Sequence, residues 1–303
     1  MKYGRRKQRA LRAVLALILL LLALVGFLYW RITSGVVGQY VEVNDVRLHY
    51  TDEGTGEPVI LLHGFAVNAD LNWRLPGIHD RLKPHFRVIA VDLRGHGLSE
   101  KPHSPDAYGL EMVEDITALM DTLGLQKAHL VGYSLGGFIA LKFATTYPQR
   151  VHSLCVLGAG WADPREEGFR EALEESARQL RAGRAVGPLV AAWPDAQHRP
   201  GWLHTAWVRV MTGVFNDPLA LAAMVEALPE VAVSREELSR LEAPLWVIVG
   251  ERDALRDRAE ALCAAVPCTL TLVPGADHVT APFRRAFYDA LLECLLSRGG
   301  TKP

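Results

Sequence analysis

The sequence predicts an α/β fold, a mostly parallel sheet flanked by helices, on three observations. Short apolar runs rich in β-branched residues recur along the chain, and stretches of helical length separate them. The block from Trp161 to Leu241 breaks that alternation, holding helical patterns but no strand-like run. With 303 residues, half of them hydrophobic, the chain is long enough for one large domain carrying such an insertion. Its formal charge of −1 gives no reason to expect a nucleic-acid partner.

Taken in order, the chain opens with "MKYGRRKQRALR", which holds six basic residues and no acid. Eighteen uncharged residues follow, Ala13 to Trp30, dominated by leucine. As a helix they would span about 27 Å, near the thickness of a bilayer's hydrocarbon core. The run is longer than the apolar part of a secretory signal, and no clear A-x-A cleavage site follows it. Residues 1–35 are therefore expected to be a basic N-terminus followed by an N-terminal transmembrane helix, Ala13–Trp30, acting as an uncleaved signal anchor. The basic flank puts the N-terminus in the cytoplasm and the remainder on the extracytoplasmic side.

"YVEV" and "VRLHYTD" alternate about Asn44-Asp45, predicting a β-hairpin with a two-residue turn. "PVILLHG", "FRVIAVD", "AHLVGY", "VHSLCVLG", "PLWVIVG" and "CTLTLVPG" read as strands covered on both faces. The intervening "YGLEMVEDITALMDTLG", "LGGFIALKFATTYP", "RDRAEALCAAVP" and "PFRRAFYDALLECLL" read as helices. Residues 36–160 and 242–303 thus form two parts of one core, with residues 161–241 a helical lid between them. Cys155, Cys263, Cys268 and Cys294 show no metal-ligand spacing. Cys155 reads as a small buried hydrophobe, and Cys263 and Cys268 lie close enough in sequence to meet across a helix–strand turn.

The stretch "VGYSLGG" places Ser134 between a strand and a helix, in the pattern G-x-S-x-G. A turn that tight lifts the hydroxyl above the sheet and needs small residues two before and two after it. The next helix then points its N-terminal N–H groups at the same spot. A serine hydroxyl needs a base, and the base needs an orienting group. Asp253 in "GERDAL" and His278 in "GADH" each follow a strand, so both emerge on the edge where open α/β sheets bind ligands. Asp163, after "LCVLG", is the rival acid. The Phe65 N–H in "LLHGF" and the Leu135 N–H would supply an oxyanion hole. His63 and His96 read as loop braces. No His, Cys or carboxylate set has metal-ligand spacing, so no metal or other cofactor is expected.

Together "HGF", "DLRGHGLS", "GYSLGG", "GERDAL" and "GADH" resemble the α/β-hydrolase superfamily in order and spacing, from about Tyr40 to Leu296. That resemblance implies the α/β-hydrolase fold and a metal-free serine hydrolase working through an acyl-enzyme on Ser134. Members with an aspartate nucleophile are set aside by the serine. An anchored member with a helical lid is similar to the monoacylglycerol lipase and esterase branches, which implies a small-molecule ester or lipid substrate and a bilayer reached through the N-terminal helix. Trp193, Trp202, Trp207, Met211 and Phe215 could line an acyl pocket or form the lid's own packing. Alternatives are a carbon–carbon bond hydrolase or acyltransferase on the same triad, or a non-enzymatic ligand-binding module. Activity is expected to fall below about pH 6 as His278 protonates, from a reference imidazole value of ~6.5.

Overall fold

Asn44 and Asp45 both take positive φ, 44° and 60°, the conformation a two-residue hairpin turn requires. In the computed structural model this turn joins β1 (Gln39–Val43) to β2 (Val46–Glu53) as an antiparallel pair. The structure describes residues 38–161, 169–183 and 216–297, with a few positions between 12 and 27. The chain divides into two compact units, Met1–Val37 and Gly38–Pro303.

Six further strands follow: β3 (Pro58–Leu62), β4 (Arg87–Val91), β5 (Ala128–Tyr133), β6 (Val151–Leu157), β7 (Leu245–Gly250) and β8 (Thr269–Val273). All eight form one sheet in the order β1-β2-β4-β3-β5-β6-β7-β8. β2 meets β4 antiparallel, and every pairing from β4 through β8 is parallel. Each strand-like run in the sequence is a strand here.

Strand periodicity divides the core into two layers. Ile60, Leu62, Ile89, Val91, Leu130, Val156 and Val247 face one way. Val59, Leu61, Val88, Ala90, Val131, Leu157 and Ile248 face the other. Helices α1 (Ile78–Leu82), α2 (Glu111–Thr122) and α3 (Leu135–Thr146) lie along the first half of the chain. In the insertion, among the described residues, come α4 (Phe169–Arg181), α5 (Pro218–Ala227) and α6 (Arg235–Leu238), with no strand. α5 starts where it does because the Asp217 carboxylate accepts from the Leu219 and Ala220 amides and Pro218 opens the first turn. α7 (Arg256–Ala265) and α8 (Arg285–Leu296) complete the second half.

Two expectations change. Cys155 is not a lone buried thiol: it is disulfide-bonded to Cys294, joining β6 to α8. Cys263 and Cys268 are also bonded, so no cysteine is free. The pairing of Cys155 was invisible in sequence because 139 residues separate it from Cys294. The second change concerns the N-terminal unit. Its described positions are helical and its described apolar side chains, such as Leu15, Leu19 and Leu22, are exposed. Among the described residues no helix is long and apolar enough to cross a membrane. The transmembrane helix expected over Ala13–Trp30 falls partly on residues outside the described ones and is not among the described elements.

Candidate active site

β5 runs into α3 through a single residue, Ser134, whose φ of 52° and ψ of −114° no other residue type but glycine adopts easily. The glycines around it are obligatory. A Cβ on Gly132 would lie 2.1 Å from the Gly136 oxygen, and one on Gly136 would lie 2.1 Å from the Leu62 oxygen. The Ser134 N–H donates to the Leu157 oxygen at 2.8 Å, pinning the elbow to the end of β6. Ser134 itself stays partly exposed, at the positive end of α3.

The loop after β3 sits against this elbow. The Gly136 N–H donates to the His63 oxygen at 3.1 Å, and a Cβ on Gly64 would touch the Ser134 Cβ at 3.4 Å. His63 is buried, its Nδ1 2.7 Å from the Gly64 oxygen and its Nε2 accepting from the Leu93 N–H at 3.0 Å. Burial pulls its pKa below the usual range, against the opposing charge of Asp92, so the ring is a neutral brace. Asn72 accepts the Gly64 N–H at 2.9 Å, and Asn216 donates to the Ala66 oxygen at 2.9 Å. Neither asparagine was singled out from the sequence, since a tie between distant loops leaves no periodic trace. Between those ties lies Phe65. Its amide and that of Leu135, the residue after Ser134, donate to no acceptor among the described residues.

"DLRGHGLS" is the scaffold behind this loop. The Asp92 carboxylate accepts from the Ala69 and Leu98 amides, each at 2.9 Å, and lies 3.0 Å from His49 Nδ1. A Cβ on Gly97 would lie 2.3 Å from the Asp92 carboxyl carbon, which explains that glycine. Arg94 forms a buried two-pronged pair with Asp115 at 2.6 and 2.5 Å. His96 is fully buried, and its pKa falls to about 3, chiefly from burial, so it is neutral.

At the far end of the sheet, β7 delivers Asp253 and β8 delivers His278. The Asp253 carboxylate is buried and lies 2.9 and 3.1 Å from His278 Nδ1. A carboxylate only accepts, so Nδ1 carries the proton and Nε2 presents its lone pair. Burial lowers the His278 pKa, but the charge and hydrogen bond of Asp253 and the charge of Asp277 outweigh it, and the net shift is upward. The expected fall in activity below about pH 6 moves correspondingly to higher pH. Gly250 is required here too: its Cβ would lie 2.5 Å from the Ala276 oxygen.

Two further carboxylates near this pair have other work. Glu251 accepts the Gly275 N–H at 2.8 Å, and Asp277 caps its own loop through the Val279 and Thr280 amides. Asp163 lies outside the described residues, as do Trp193, Trp202, Trp207, Met211 and Phe215. Among the described residues no group of His, Cys, Asp and Glu could hold a metal ion.

Comparison with known proteins agrees with this architecture. Residues 57–195 match the family described as alpha/beta hydrolase fold. The chain is 34% identical over 261 residues to the dihydrolipoyllysine-residue acetyltransferase component of the acetoin cleaving system of Cupriavidus necator, a match covering 84% of this chain and 68% of that protein. It is 38% identical over 126 residues to 2-hydroxy-6-oxo-2,4-heptadienoate hydrolase of Pseudomonas putida, covering 41% of this chain and 45% of the other. Against several such hydrolases the chain thus spans about half the relative's length. Among solved structures, a thermophilic esterase from Thermogutta terrifontis superposes with a TM-score of 0.71 at 27% identity, over 86% of this chain and 98% of that one. With the glycine-locked serine and the paired Asp253 and His278 already in place, these likenesses identify the chain as a member of the α/β-hydrolase superfamily.

Proposed function

We propose that the protein is a serine hydrolase that cleaves carboxylic esters, small acyl esters or monoacylglycerols, through an acyl-enzyme on Ser134. One observation carries the reading: a serine held at positive φ at the head of a helix shares the carboxyl edge of the sheet with a partly exposed His278 paired to a buried Asp253. In this mechanism His278 Nε2 takes the hydroxyl proton as Ser134 Oγ attacks the ester carbonyl. The Phe65 and Leu135 amides receive the developing oxyanion, each worth about 2.7–4 kcal/mol in the transition state. The imidazolium, steadied by Asp253, returns its proton to the departing alcohol. Water then enters, loses a proton to His278 and releases the acid. Trp202, Trp207 and Met211 are the candidates for the acyl pocket.

The test is covalent. A fluorophosphonate probe should label the wild type and leave Ser134→Ala unlabelled; labelling of both, or of neither, defeats the assignment.

The relatives favour a second reading. A 2-hydroxy-6-oxo-dienoate contains no ester, so water can divide it beside its ketone only by breaking a carbon–carbon bond. The same serine, base and oxyanion donors suit that reaction. Turnover of p-nitrophenyl esters of graded length, measured against monoacylglycerols and a 2-hydroxy-6-oxo-dienoate, separates the two readings by kcat/KM.

We also place the catalytic unit on the extracytoplasmic side of a membrane. The basic flank and leucine-rich run of the N-terminus support this, as do two disulfides, which persist in oxidising compartments. Protease accessibility in intact cells and after lysis tests the placement.

A further inference from the structure

β8 is the outermost strand of the sheet, and β6 and β7 separate it from β5. The base therefore rides on an edge loop, whereas the nucleophile stands at the sheet's centre. Their chemistry needs both at one point, which calls for a tie across two strands.

We propose that Tyr133 is that tie, a positioning residue whose hydroxyl donates to the His278 main-chain oxygen and holds the base loop in register with Ser134. The inference rests on the serine-hydrolase reading and deepens it.

Tyr133 is the residue immediately before the nucleophile, so any fix on its side chain is a fix relative to the elbow. Its ring lies 5.2 Å from the His278 ring at an interplanar angle of 43°. On other sides it meets Trp73 edge-on at 6.4 Å and Phe287 of α8 at 6.1 Å. These contacts set the ring plane, and a phenol O–H prefers to lie in that plane, so the hydrogen bond has a fixed direction. Gly158, with φ 52°, opens the remaining side: a Cβ there would lie 2.9 Å from the phenol Cζ. Burial, with the charges of Asp253 and Asp277, holds the hydroxyl protonated well above its ordinary range, so it stays a donor at every working pH. The bond ends on the backbone of the base itself, and not on a remote loop.

Tyr133→Phe removes one oxygen and keeps the ring. On p-nitrophenyl acetate its kcat should fall about tenfold to a hundredfold, with KM within about twofold of wild type. The acid limb of kcat/KM should move to lower pH, because an imidazole seated less well on Asp253 loses part of what raises its pKa. Gly158→Ala displaces the phenol from the opposite side and should give the same pair of changes. It carries the test if Tyr133→Phe does not fold. An unchanged acid limb, or a loss confined to thermal stability or KM, overturns the inference. The two readings fail separately: turnover by Ser134→Ala defeats the serine mechanism, whereas an inactive Ser134→Ala beside a Tyr133→Phe of wild-type kcat and pH profile defeats only the role of Tyr133.

Discussion

The elbow at Ser134 and the loop at His278 share the carboxyl edge of one sheet and are built on opposite principles. The elbow is fixed by exclusion. Backbone approaches so closely at Gly132 and Gly136 that no Cβ fits, and main-chain hydrogen bonds to Leu157 and His63 complete the lock. The base loop is fixed by attraction. Asp253, Glu251, Arg252 and Tyr133 hold it through side chains, and Asp277 turns it on itself. Sterics do not titrate and tolerate no substitution, whereas side-chain ties can be cut singly and respond to pH. The position of Ser134 is thus all-or-none and that of His278 is adjustable.

Cutting the tie between Asp253 and His278 should have the largest effect. Asp253→Asn keeps the shape but favours the wrong imidazole tautomer, and kcat should fall about ten-thousandfold. Steady-state turnover measures it, and a loss under tenfold would show that another acid orients His278. Next comes the helix after the base loop, which the Cys155–Cys294 bond pins to β6. Replacing both cysteines with alanine should cost about 4 kcal/mol of stability, by the entropy of so long a closed loop. Denaturant unfolding reads this loss. Removal of the Cys263–Cys268 bond, which closes a loop of sequence separation 5, should cost less.

On the elbow side, Gly136→Ala drives a methyl into the Leu62 carbonyl, which cannot swing aside as a side chain could. About 3 kcal/mol of stability should go, the upper end for overpacking, and fluorophosphonate labelling should fall with it. Normal stability with normal labelling would contradict the rigid elbow. The smallest effect belongs to charge alone. His278 works as a base only when neutral, and its pKa sits above the ordinary 6.5. The base is therefore lost as pH falls through that raised value, and kcat/KM should drop tenfold per unit on the acid side. Asp277→Asn removes one raising charge and should move the limb to lower pH by a fraction of a unit, with kcat on the plateau unchanged.

The same contrast explains what could be read in advance. All eight strands and the Ser134, Asp253 and His278 positions were legible, because strand periodicity and the glycines flanking a tight turn are local rules written over a few residues. The hub at Asp92, the asparagines 72 and 216, the Cys155–Cys294 bond and the Tyr133 tie were not. Each joins segments far apart in the chain, and no spacing along a sequence encodes which side chains a sheet will bring face to face. In "VGYSLGG" Tyr133 stands at an unconstrained position, and only its neighbours in the fold mark it out.

By itself, then, the sequence determined the order of strands and helices, the place of the elbow and the loop that carries His278, since backbone sterics and hydrophobic periodicity act within short windows. The tertiary structure alone decided how the His278 loop is tied to the Ser134 elbow and that Cys155 meets Cys294. Those outcomes depend on the sheet's strand order, which places β8 two strands from β5 and makes neighbours of residues the chain itself keeps apart.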